Sequence, residues 1–200
     1  MVKQRLRKQL RKALNMMNAE QIHQQSRRAC EFLCGTAPFL QARVIMMFLS
    51  KTDEIETQWA IRQALDQGKT VAVPKVIYKH HQLIPLKLSS LDCEMETDRY
   101  GLRHPKNSSE VPVESLELVV APGLGFDEHG HRLGRGGGYY DRFFCHHGFH
   151  ALKCGFAFEQ QMLDEVPMDQ HDIPIDMLIT DQKVRQFGNH KKINTGAKDG

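Results

Sequence analysis

Leucines recur four residues apart at Leu6, Leu10 and Leu14, on one face of a predicted N-terminal helix. Asn18 followed by Gln21 has the spacing of a reciprocal cap, and it predicts a second helix that ends at Gly35. Val44 to Leu49 is an apolar run of strand length, as expected for a strand covered on both faces. Thr57 is placed to cap a third helix through Leu65, closed by Gly68. Thr70 to Val76 alternates toward a strand interrupted by Pro74, and Gln82 to Leu88 is placed to pair beside it. Positions 89–115 hold few periodic apolar residues and read as loop with short pieces of structure. Leu116 to Ala121 predicts the next strand, followed by a glycine-rich loop. Tyr139 to His146 begins a helix, and Leu152 to Phe158 and Asp176 to Thr180 read as strands. Strands alternating with helices predict an α/β sheet packed in layers.

The 200 residues suit one domain, read as 1–185, with a polar tail over 186–200 expected to be disordered. Hydrophobic residues at 40% and charged residues at 26% are ordinary for a soluble globular protein. No apolar run approaches the ~20 residues of a membrane span, and the polar, basic start has no signal-peptide pattern. Five scattered cysteines argue against a disulfide framework and for a reducing, cytoplasmic compartment. Cys30 and Cys34 have no second pair to complete a structural zinc site. A net charge of +3 is too small to argue for nucleic acid. Lys3, Arg5, Arg7, Lys8, Arg11 and Lys12 nevertheless crowd the first helix, either as a solvated face or with one or two side chains on a phosphate. His129, His131, His146, His147 and His150 lack metal-ligand spacing and read as exposed.

The chemistry concentrates between Pro122 and Asp141, in a stretch with seven glycines and the string Arg132-Leu133-Gly134-Arg135-Gly136-Gly137-Gly138-Tyr139-Tyr140-Asp141. Glycines cost conformational entropy and are kept where backbone geometry or close approach demands them. A loop between strand and helix places the N–H groups of Gly136 to Gly138 at a helix start, where an anion is favoured. Arg132 and Arg135 can grip phosphate oxygens with paired hydrogen bonds. Asp141, in the first turn, is placed for a magnesium ion bridging those phosphates. The G-x4-G-K-[ST] phosphate loop is absent, and the dinucleotide pattern fails because Glu128 stands where its third glycine belongs.

This stretch closely resembles the signature of the 5-formyltetrahydrofolate cyclo-ligase family. The basic opening with Lys3 and Arg7, the acidic Asp53-Glu54-Ile55-Glu56-Thr57, and the segment from Val166-Pro167 through His171-Asp172 to Ile179-Thr180 resemble further family motifs in the same order. The resemblance implies a three-layer α/β/α sandwich, similar to the sugar-phosphate isomerase and CoA transferase folds. It implies conversion of 5-formyltetrahydrofolate and ATP to 5,10-methenyltetrahydrofolate, ADP and phosphate, with Mg²⁺. By similarity, Lys3, Arg7 and the loop from Arg132 to Tyr140 bind ATP, with Arg135, Tyr139 and Tyr140 nearest the reacting groups. Asp141 and Asp172 match the metal carboxylates, and Leu49, Glu54 and Tyr100 match the folate site. Mild departures from the family pattern are His104 before Pro105 and Lys75 after Pro74. The expected partners are the two substrates, with no nucleic acid or membrane, and a monomer is the default assembly. Two other readings share these residues: an ATP-using transferase with a different acceptor, and a non-catalytic folate- or RNA-binding relative.

Overall fold

The computed structural model describes residues 2–187. The chain opens with α1 (Val2–Asn15), α2 (Ala19–Gly35) and α3 (Ala37–Gln41), then β1 (Val44–Met47), α4 (Gln58–Asp66), β2 (Thr70–Ile77) and β3 (Gln82–Leu88). The middle carries β4 (Met95–Thr97), β5 (Arg103–Pro105) and β6 (Leu118–Ala121). After them come β7 (Gly125–Phe126), β8 (Arg132–Leu133), α5 (Tyr139–Phe144), β9 (Leu152–Phe156), β10 (Met177–Ile179) and β11 (Val184–Gln186).

One seven-stranded sheet organises the molecule in the order β11-β10-β9-β6-β1-β2-β3. The central five strands run parallel, while β3 and β11 pair antiparallel at the two edges. Strands β1, β6 and β10 are almost wholly buried because helices cover both faces, as the apolar run at β1 predicts. Leu10, Leu14, Leu33 and Ile61 pack on one face with Ile45, Met47, Val71 and Val120. Met46, Ala72, Val119 and Ala121 point to the other face, against Phe143 and Phe144 of α5. The result is the layered α/β architecture expected, with most helical mass on one side.

The local predictions hold where a side chain acts on its own backbone. Asn18 accepts from Gln21 N at 2.9 Å while Gln21 Oε1 accepts from Asn18 N at 3.0 Å. They fail where a long-range partner intervenes. Thr57 starts α4 without capping it, because its hydroxyl donates to Phe48 O at 2.7 Å and ties the helix to the end of β1. Pro74 does not interrupt β2. The ladder to β1 stops at Ala72, and Pro74 lies opposite Pro85 in β3. Pro85 O accepts outward from Val111 N at 2.8 Å, so its nitrogen also faces away from β2. Three elements were not anticipated: α3, the β7–β8 hairpin inside the glycine-rich loop, and β11. The last carries order through Gln186 and Phe187. The remainder of the expected tail, 188–200, lies outside the described residues. All five cysteines are free. Burial pushes the Cys30 and Cys34 thiols up to about 12, so both are neutral packing groups.

β1 divides the strand order. The chain moves from β1 to β2 and β3 on one side, and from β6 to β9 and β10 on the other. The carboxyl ends of β1 and β6 therefore diverge, which is where open α/β sheets place a ligand crevice.

Candidate active site

A cavity of about 350 Å³ opens at this switch point. Phe48 and Leu49 enter it from the end of β1, Pro122 and Gly123 from the end of β6, and Pro74 and Val76 from β2. Arg132, Gly134, Arg135, Gly137, Gly138, Tyr139, Tyr140 and Asp141 of the loop line it together with Tyr78, Tyr100, Leu102 and Arg103, and the Tyr78 and Tyr139 ring centroids lie 6.4 Å apart. Glu54 and Lys51 border the opening.

After β8 the glycine-rich loop takes its shape from two residues at positive φ, Gly136 (φ 111°) and Gly138 (φ 62°), the latter starting α5. At Gly136 the backbone passes close to a guanidinium, since a Cβ there would sit 3.5 Å from Arg7 Cζ. Arg7 Nε donates to Gly134 O at 2.9 Å. Lys3, one helical turn before Arg7, donates to Asp172 and, at 2.6 Å, to Asp169. Of the six basic residues on α1, these two are drawn in; Arg5, Lys8, Arg11 and Lys12 face solvent. Lys3 and Arg7 stand behind the loop and do not line the cavity. Leu133 contributes only backbone, as its side chain is in the core.

Each cation on the loop side meets a protein acceptor. Arg132, buried by β8, donates to Asp141 Oδ1 at 2.9 Å and lies 5.5 Å from the Tyr140 ring. Arg135 reaches Asp53 Oδ1 and Glu54 Oε1, both at 2.9 Å from Nη2. Burial opposes charge on Arg135, but these two carboxylates hold its pKa above the usual value. Burial likewise works against the Asp172 carboxylate, yet the Lys3 ammonium and the Asp169 N–H hold its pKa below the usual range. Two buried polar atoms have no partner among the described residues, Arg132 Nε and the Tyr140 hydroxyl. Burial pushes the Tyr140 hydroxyl pKa up, so it stays protonated and is available as a donor. Unpartnered buried groups are uncommon and concentrate where a ligand completes them.

The two carboxylates assigned to a metal share one corner, since Ile173 N, next to Asp172, donates to Asp141 Oδ1 at 3.4 Å. Asp141 Oδ2 and Asp172 Oδ1 have no hydrogen bond among the described residues. No group of three or more His, Cys, Asp or Glu side chains could hold a metal among the described residues. Two hard oxygen donors beside a cationic loop nevertheless fit magnesium, which usually takes one or two protein carboxylates and completes its shell with phosphate and water.

The substrate-side expectations also converge. Leu49 is a buried wall residue, and Tyr100 lines the rim at 56% exposure. Glu54 accepts from Lys51 N and from Arg135 Nε, both at 3.0 Å. The two departures from the family pattern fall outside: neither Lys75 nor His104 lines the cavity, and His104 is buried beside Glu96 at 3.8 Å. The histidine cluster is exposed except His131, which meets the fully buried Asp127 at 2.9 Å. Sequence reasoning missed Tyr78, Lys51 and Arg103. Their only signal is position: Tyr78 follows the predicted strand that ends beside the cavity, and Arg103 sits three residues after Tyr100.

A cavity at the switch point of a mostly parallel sheet, lined by a cationic glycine loop and by tyrosine rings, defines the class: a layered α/β protein with a crevice at the carboxyl ends of its strands. The chain belongs to the 5-formyltetrahydrofolate cyclo-ligase family, whose model matches residues 1–181. It is 29% identical over 188 residues to 5-formyltetrahydrofolate cyclo-ligase of Mus musculus, covering 88% of this chain and 92% of the relative. It is also 29% identical over 185 residues to the Escherichia coli (strain K12) protein of the same name, covering 89% and 100%. Among solved structures it resembles Aquifex aeolicus 5,10-methenyltetrahydrofolate synthetase, with TM-score 0.83, 25% identity and full coverage of both chains. A Mycoplasma pneumoniae 5,10-methenyltetrahydrofolate synthetase shares the fold at TM-score 0.73 and 19% identity, over 90% of this chain and 99% of that one.

Proposed function

We propose that this chain converts 5-formyltetrahydrofolate to 5,10-methenyltetrahydrofolate, using ATP with Mg²⁺ and releasing ADP and phosphate. The observation that carries the reading is that Glu54, Leu49 and Tyr100 line the same cavity as the Arg132–Asp141 loop, with Glu54 in contact with Arg135. A ring and a phosphate held by these two sets of residues would lie side by side.

The formyl oxygen attacks the γ-phosphorus of ATP, forming an O–P bond as the bond to ADP breaks. The folate's N10 then attacks the activated formyl carbon and loses its proton, and the C–O bond breaks with phosphate as leaving group. The substrate supplies both nucleophiles, so the protein's task is positioning and charge stabilisation. Arg132 and Arg135 hold phosphoryl oxygens from within the cavity, while Arg7 supports the loop from behind and Lys3 holds Asp172 in place. The unpartnered hydroxyl of Tyr140 donates to an oxygen of the transferring group. Tyr139, lining the same cavity, closes the site against water that would hydrolyse the activated formyl group. Glu54 accepts from the pterin's amino and ring N–H groups, with Leu49 and Tyr100 as walls. Asp141 and Asp172 would hold magnesium, which would supply charge neutralisation for the nucleotide's phosphates.

Asp141, Arg132 and Arg135 line one cavity, with Asp172 beside Asp141, and this set favours catalysis over a folate-binding relative, since folate binding alone needs none of them. The unpaired thiols support a cytoplasmic location, and we take the protein to act as a monomer. The test is absorbance of methenyltetrahydrofolate during incubation with 5-formyltetrahydrofolate. Product that forms only with Mg²⁺–ATP is expected. ATP turnover without product would redirect the reading to another acceptor.

A further inference from the structure

The aromatic side of the cavity is assembled by one carboxylate. Asp98 lies after β4, and its Oδ2 accepts the Tyr78 hydroxyl from the end of β2. Its Oδ1 accepts Tyr100 N at 2.8 Å and Leu102 N at 2.9 Å. The same residue closes its own loop through the backbone: Asp98 N donates to Leu102 O at 2.9 Å, and Gly101 N donates to Asp98 O at 3.0 Å. Gly101 sits at φ 76°, which lets the chain fold back on itself. From the opposite wall Lys51 Nζ donates to Tyr100 O at 2.8 Å.

Two rings from distant segments are thereby brought together. The Tyr78 and Tyr100 centroids lie 4.8 Å apart at 50°, and the Arg99 guanidinium sits 5.0 and 4.9 Å from them. Tyr78, Tyr100, Leu102 and Arg103 all line the cavity. Burial disfavours charge on Asp98, but hydrogen bonds from Tyr78, Leu102 and Tyr100 hold its pKa below the usual range. It remains an anionic acceptor at neutral pH. Tyr100 leaves much of its ring exposed beside the cavity, an arrangement suited to stacking on a flat conjugated group.

Building on the folate reading above, we propose that Asp98 is the positioning residue of the substrate-side wall. It locks Tyr78 and the Tyr100 loop into one platform for the folate's ring system. It touches no reacting atom; its effect passes through the two tyrosines. Removing it frees both rings and the loop together. Asp98→Asn keeps an acceptor for the backbone N–H groups and a donor toward Tyr78, and Tyr78→Phe removes only the hydroxyl.

Calorimetric titration with 5-formyltetrahydrofolate in the absence of nucleotide tests this, beside a parallel titration with Mg²⁺–ATP. In Asp98→Ala the folate Kd is expected to rise about tenfold or more, the scale of a lost charge-assisted hydrogen bond. Asp98→Asn and Tyr78→Phe should each raise it about threefold to fivefold, with the Mg²⁺–ATP Kd moving less than twofold. In turnover the KM for folate should rise more than kcat falls. Wild-type folate affinity in Asp98→Ala, or equal losses for both ligands in a folded variant, would overturn the assignment. Should Asp98→Ala fail to fold, Asp98→Asn and Tyr78→Phe carry the same decision. Absence of folate binding in the unaltered protein would overturn the folate reading itself, a distinct result.

Discussion

The loop side and the aromatic side of the site are held by different physics. On the loop side, three cations meet five carboxylates: Lys3, behind the cavity, with Asp169 and Asp172, Arg132 with Asp141, and Arg135 with Asp53 and Glu54. On the aromatic side a single carboxylate, Asp98, accepts one hydroxyl and two backbone N–H groups, and the rings do the rest. On the proposed reading the loop side is therefore a set of ion pairs that ligands would redistribute, a phosphate taking the cations and a divalent metal the carboxylates. The aromatic side has no such exchange available. Its geometry must be complete before a ligand arrives, and any loss there is felt as affinity.

The largest break in this comparison should come from Arg135→Ala. It removes a guanidinium that meets the phosphates on the proposed reading, and turnover should fall about 100-fold to 1000-fold with little change in melting temperature. Steady-state kinetics beside a thermal melt would check both halves. Asp127→Ala attacks the support of the loop side instead. The fully buried carboxylate accepts His129 N, His131 N and Val166 N at 2.9, 3.0 and 3.0 Å. Leaving those donors unmet should cost about 3 kcal/mol in denaturant unfolding.

Burial works against the Asp127 charge, but its donors hold the pKa below the usual range. Its stabilisation is thus full above about pH 4 and is lost as pH falls through the folded-state pKa. The gap between wild type and Asp127→Ala should close in acid. Asp141→Asn should raise the Mg²⁺ concentration for half-maximal turnover by about tenfold without unfolding the protein. Unchanged dependence at limiting Mg²⁺ would remove Asp141 from the metal. Tyr100→Ala should raise the folate KM about fivefold and leave that for ATP alone, while Tyr100→Phe should keep the wild-type value. Smallest of all, Lys8→Ala on the solvated face of α1 should alter the ATP KM by less than twofold. A large effect would show that the whole basic face meets the nucleotide.

The contrast also explains what could be read from the chain. The loop side was legible because its chemistry is contiguous: glycines, arginines and Asp141 fall within one short stretch, and their spacing states a loop between strand and helix. Glu54 was singled out only through the resemblance of its motif to the family's, and nothing in its neighbours says that Arg135 will meet it. Tyr78 and Asp98 were silent, one at the end of an ordinary strand pattern and the other in a segment without periodicity. They acquire meaning only when β5, paired with β4, folds against the β2–β3 pair. Local signals behaved likewise. The Asn18 cap depends on three neighbouring residues and was read correctly. Thr57 was misread because its hydroxyl serves Phe48 O, in a different element. β11 escaped notice because a three-residue edge strand with one inward side chain, Arg185, leaves no apolar alternation.

The central place of β1 bears on how the protein reaches this state. Ile45 pairs with Val71 on one side and with Leu118 on the other, so the crevice between the two halves exists only after a long stretch of chain has closed. Closing that distance is an entropic barrier that local helices cannot relieve. The ligand site is therefore expected to be among the last features to form during refolding. Recovery of ligand binding after dilution from denaturant should lag behind recovery of helical signal.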